Sequence, residues 1–160
     1  MAERGIRSMT ATGHAVLGTI IAAKVGNPAL AVPLALLSHV AADMFPHWDV
    51  ATNGNKKNKK DKRRLLIMSF FDVLIGFAVS FILLSFFFSK TSVVYVFFLI
   101  LVSQLFDWMV APYYFFNIDL PPFNWTYKFQ KLFDNELDKP WGIINQVAVL
   151  ILIVALAKVF

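Results

Sequence analysis

The chain has no cysteine, little glycine and very little charge: its 160 residues include 7 Gly, and only 16% are Asp, Glu, Lys or Arg. Without thiols there is neither a disulfide framework nor a thiolate metal site, and the redox compartment stays open. Soluble domains carry roughly 25% charged residues. The deficit here is deeper than that comparison suggests, because seven of the fifteen Lys and Arg fall in one run, Lys56 to Arg64. What remains is 58% hydrophobic overall, with 17 Phe, 4 Trp and 4 Tyr, and the mean hydropathy is +0.64. That composition excludes both intrinsic disorder and a water-soluble globule.

The long apolar runs predict an all-α, polytopic transmembrane bundle. Residues 65–89 carry one charge, Asp72, and residues 91–111 carry one, Asp107. Each run is long enough to cross a hydrocarbon core of about 30 Å at about 1.5 Å per residue. Ser89, Lys90, Thr91 and Ser92 between them predict a tight hairpin. Residues 141–160 form a further apolar run behind Pro140, a helix-start signal. Near the N-terminus, Gly26, Asn27 and Pro28 mark a turn between helices expected over 10–25 and 28–46. The first of these is short, and Gly13, Ala15, Gly18, Ala22 and Ala23 suit it to close packing. The expectation is one membrane domain over 1–160, with five spans in two hairpins plus a C-terminal helix. A basic loop would cover 50–64 and an interfacial segment 112–140, in which an amphipathic helix follows the Pro121–Pro122 break.

Cation bias sets the expected orientation. With the 50–64 loop cytoplasmic, that side holds twelve Lys and Arg, against Lys24, Lys90 and Lys158 on the other. The N-terminus is then cytoplasmic and the setting a plasma membrane of prokaryotic type. The basic run fits a topology signal touching anionic lipid better than a nucleic-acid site, because it lacks interleaved aromatics and any recognisable binding motif.

Ionisable groups inside spans are costly and point to function. Counted from the cytoplasmic helix ends at about 1.5 Å per residue, Asp43 lies about 5 Å deep, His39 about 10, Asp72 about 10, Asp107 about 6, His14 about 6 and Gln146 about 8. All five helices thus deliver a polar group to one layer. His39 and Asp43 share a helix face at i and i+4, as do Gln104 and Asp107 at i and i+3. His47 and Asp49 return behind Pro46. Three Asp in a low-dielectric layer need a positive partner or a proton, and imidazole with carboxylate suits a divalent cation. The candidate ligands are His14, His39, Asp43, Asp72 and Asp107, with His47 and Asp49 as candidate catalytic groups. Asp72 and Asp107 serve equally well as interhelical hydrogen-bonding groups, and Gln146 and Asn145 read as helix glue.

The GHAVLGTIIAAKVGNP opening and the LLSHVAADMFPHWD close, from His14 through Asp49, resemble bacterial membrane-bound metal-dependent hydrolases, a family more loosely related to zinc-dependent phospholipase C. The resemblance implies that His14, His39 and Asp43 are metal ligands and that the Pro46-His47-Trp48-Asp49 ending is familial. It covers about a quarter of the chain. The Leu-Pro-Asp-x-Asp-His and His-Arg-x-x-x-His elements of larger members are missing.

Two functions follow as expectations. One is a hydrolase of a lipid ester or phosphoester at the cytoplasmic membrane face, using a divalent metal, zinc first and manganese or magnesium as alternatives. The other is a non-enzymatic ion- or proton-handling protein or scaffold, which as a channel would need a homo-oligomer. Membrane lipid is the expected partner in both.

Overall fold

The computed structural model describes residues 9–49, 59–133, 135 and 137–159. Arg4, Arg7 and residues 50–58 of the basic loop lie outside them. Seven helices form, with no strand among the described residues: α1 (Ala11–Lys24), α2 (Pro28–Met44), α3 (Lys59–Phe87), α4 (Val93–Ser103), α5 (Leu105–Phe116), α6 (Phe123–Gln130) and α7 (Trp141–Val159).

The all-helical class stands, but five full spans do not. Among the described residues two helices are long and apolar enough to cross a membrane, Lys62–Phe87 and Trp141–Val159, or three if the bent pair α4–α5 is one span. At about 1.5 Å per residue, the 14-residue α1 and 17-residue α2 reach only about 21 and 25 Å. The expected fourth span, 91–111, is broken at Gln104, where α5 turns by 49°. The break has a chemical cause. In a continuous helix the Ser103 carbonyl would accept from the amide four residues on; here it accepts a 2.7 Å bond from His39 Nδ1. A side chain inserted into the helical ladder bends it.

Other boundaries move as well. The third helix begins at Lys59, six residues before the expected start, because Lys and Arg are good helix formers. Lys62 Nζ is fixed there by Tyr114 O at 3.0 Å and Asn117 Oδ1 at 2.8 Å, a cation on the carbonyl end of α5. The amphipathic helix runs over Phe123–Gln130 and stops before Leu132 and Leu137.

α1 is the central helix, packed against α2, α3, α4 and α7. Its small residues permit this. A Cβ on Gly18 would lie 2.8 Å from Leu99 O and 3.1 Å from Ile100 Cα, and one on Gly76 of α3 would lie 3.1 Å from Ala15 Cβ. α2 faces the bundle with Ala31, Ala35, His39 and Asp43, a ridge at i+4 spacing that begins apolar and ends polar. The apolar core of Val16, Ile20, Leu84, Phe88, Leu99 and Ile100 fills the end away from the histidines. Outside, α3 and α7 expose Phe70, Phe71, Ile75, Phe81, Ile151 and Leu152, an apolar surface that suits lipid rather than water.

Candidate metal centre

A helix that starts inside a bundle brings unpaired amides with it. α1 does so, and most of the polar layer converges on its first turn. Asp72 accepts from Ala11 N at 2.6 Å, from Thr12 N at 3.4 Å and from Thr12 Oγ1 at 2.7 Å. Asp43 Oδ1 accepts from Met9 N at 2.7 Å. Gln104 Nε2 donates to Ala11 O at 3.2 Å, and Gln146 Nε2 donates to Thr10 Oγ1. A carboxylate at a helix N-terminus also meets the positive end of the dipole. Asp72 therefore caps α1 and stands outside the histidine group, whereas the sequence offered it equally as a ligand.

The remaining polar groups form a second cluster one turn further along. His14 of α1 and His39 of α2 stack with ring centroids 3.9 Å apart and planes 14° apart. Asp43 bridges them: Oδ1 is 3.3 Å from His14 Nε2 and Oδ2 is 3.2 Å from His39 Nε2. Each of the three residues offers one ligand atom, and these atoms lie within 4.8 Å of one another. Asp107, at the start of α5, adds a carboxylate with oxygens 3.9 Å from His14 Nε2 and 3.7 Å from His39 Nε2. His14, His39 and Asp43 are almost fully buried, while Asp107 is 24% exposed.

Donor chemistry supports a cation in this cluster. His39 donates its Nδ1–H to a carbonyl, which leaves the Nε2 lone pair facing the carboxylates; fixing a tautomer in this way is the usual support of a metal-binding imidazole. His14 Nε2 faces Asp43 Oδ1 at 3.3 Å, while its Nδ1 is buried without a hydrogen bond among the described residues, a cost of about 1–3 kcal/mol unless something else pairs with it. The group of His14, His39 and Asp43 could hold a metal ion.

Gln130 was not legible as a site residue. It is 4% exposed, and its Nε2 lies 3.1 Å from His39 Nε2 and donates to Asp107 Oδ1 at 3.0 Å. The positive end of the amide thus occupies the place between imidazole and carboxylate that a cation would contest. Thr126 and Gln130 form the buried face of α6, while Trp125 and Phe129 remain exposed. α6 covers the cluster through polar contacts.

His47 is fully buried. Its Nδ1 donates to Phe45 O at 2.7 Å, and its Nε2 has no hydrogen bond among the described residues. Burial holds its pKa below the ordinary imidazole range, with Asp43, His14 and Asp107 near enough to act on its charge. The backbone beside it is pinned: His47 N donates to Asn135 O, Leu137 N to His47 O and Asn135 N to Asp43 O. Asn145 Nδ2 donates to Pro46 O at 2.6 Å, as helix glue should. Asp49 lies with Asp72 and Asp107 in the wall of a cavity of about 330 Å³ between α3 and α5. Comparison of the chain with protein-family models, curated proteins and solved structures gives no match.

Proposed function

We propose that the protein is an integral membrane, metal-dependent hydrolase of a lipid ester or phosphoester, working at the cytoplasmic face. The observation that carries this is the buried His14–His39–Asp43 group with Asp107 beside it, its imidazole lone pairs turned toward the carboxylates. The likeness of the His14–Asp49 stretch to membrane-bound metal-dependent hydrolases points the same way. Zinc is the first choice of ion, with manganese or magnesium as alternatives.

A divalent ion, were it held by these residues, would supply Lewis-acid polarisation of an ester or phosphoryl oxygen and activation of water. The chain's own groups supply the rest. His14, His39 and Asp43 bind, and Asp107, aligned by Gln130, completes the set. His47, kept neutral by burial, is free to accept a proton at Nε2 as general base, and Asp49 stands at the cavity as the second candidate base. α3, α4–α5 and α7 cross the bilayer in this proposal, the α1–α2 hairpin fills the bundle, and the N-terminus and basic stretch face the cytoplasm.

The test is hydrolysis of phospholipid by protein reconstituted in vesicles. Chelation is expected to reduce turnover about 100-fold or more, the scale of a lost electrostatic stabiliser, and zinc or manganese should restore it. A second function is favoured by one observation, that Asp43 already contacts both imidazoles directly: a closed, protonated His–Asp cluster in a non-enzymatic protein. Folded protein that takes up no divalent metal and cleaves no lipid ester or phosphoester would leave that one standing.

A further inference from the structure

The bend at Gln104 carries α5 out of line with α4, and the cavity of about 330 Å³ lies between α5 and α3, at the lower end of the roughly 300–1,000 Å³ of small-molecule sites. Its sides are apolar, from Leu65, Phe70 and Val73 on α3 and Trp108, Ala111 and Phe115 on α5. Its deep end is polar, with Asp72, Gln104 and Asp107. Asp107 is shared with the histidine cluster, so the cavity adjoins the candidate metal centre directly. Leu66, Phe70 and Trp108 are 39%, 59% and 42% exposed, so this wall is also part of the outer apolar surface, and the space is reached from the side, where acyl chains are. At the other end, Lys62 is hydrogen-bonded to Tyr114, which lines the cavity, and Arg63 and Arg64 are exposed just before Leu65. Cations at the edge and apolar walls below them match the order of phosphate and chain in a membrane lipid.

We infer that the α3–α5 cavity binds one acyl chain of an anionic phospholipid, with the phosphate at the Lys62–Arg64 edge and the chain laid past Asp107. As the route of substrate to the site, this rests on the hydrolytic function proposed above; as a binding site it stands without turnover.

Native mass spectrometry of protein equilibrated with phosphatidylglycerol tests it. Wild type is expected to retain one phospholipid per protomer. Ser69→Phe and Ala111→Phe, which fill the cavity from opposite walls, are expected to retain it at least tenfold less, while Phe81→Trp on the exposed face of α3 behaves as wild type. Two filling variants guard against one that misfolds, and unchanged metal content in both marks an intact cluster. Wild type that retains no phospholipid, or filled variants that retain as much as wild type, would overturn the site. Retained lipid that metal-loaded protein leaves uncleaved would remove the hydrolytic function and keep the cavity.

Discussion

Asp43→Ala is expected to cost more than any other single change in the cluster. The carboxylate accepts from Met9 N and contacts both imidazoles, at 2.7, 3.3 and 3.2 Å, and its loss strands three buried partners at once. Removing one partner of a buried ionic group costs about 3–5 kcal/mol. Loss of a ligand should weaken metal binding by about 100-fold or more, beyond the 10–100-fold seen when only a supporting residue is removed. Asp43→Asn separates the two effects. It keeps an acceptor for Met9 N, so stability should fall less, while divalent affinity should fall as far as in the alanine variant. Denaturant unfolding and metal titration of the two variants check this; an alanine variant that binds metal like wild type contradicts it.

Gly18→Val is expected to destabilise the bundle by about 3 kcal/mol or more, the upper end for overpacking. A Cβ there falls 2.7 Å from Ser103 Oγ and 2.8 Å from Leu99 O, and the carbonyl belongs to a helix backbone that cannot step aside. Relief requires α1 and α4 to separate. The same separation would pull His14 from Ser103, whose hydroxyl donates to His14 O at 2.8 Å, and so disturb the cluster. Gly26→Ala is the control, since among the described residues nothing lies within 4 Å of its Cβ position, and its effect should stay within about 0.5 kcal/mol. Thermal unfolding in detergent compares the two.

Much of the site was legible because charge is so scarce here. His14, His39, Asp43 and Asp107 stand out against apolar runs, the i, i+4 spacing puts His39 and Asp43 on one face, and depth brings His14 and Asp107 to the same level. Depth could not divide the layer in two. Asp72, Gln104 and Gln146 share that level because α1 begins inside the bundle, where Asp72 accepts from its first amides and Gln104 and Gln146 donate to Ala11 O and Thr10 Oγ1; where a helix starts relative to its neighbours is a tertiary property. The break at Gln104 was hidden for a similar reason, since it follows from a hydrogen bond between His39 and Ser103, 64 residues apart in the chain. Gln130 escaped because α6 reverses the usual rule. Its aromatic residues suggest an apolar face turned inward, yet Thr126 and Gln130 are buried and Trp125 is 63% exposed. In a membrane that inversion is reasonable, because lipid accepts the aromatic face. The i, i+4 pair of Thr126 and Gln130 was the signal available.

The central claim is that His14, His39 and Asp43 hold a divalent ion, and elemental analysis of the purified protein tests it most directly. Wild type, purified without chelator, is expected to carry close to one equivalent of divalent metal per chain, and His39→Ala, still helical and monodisperse, close to none. Folded wild type that remains free of metal after equilibration with zinc, manganese and magnesium in turn would contradict it.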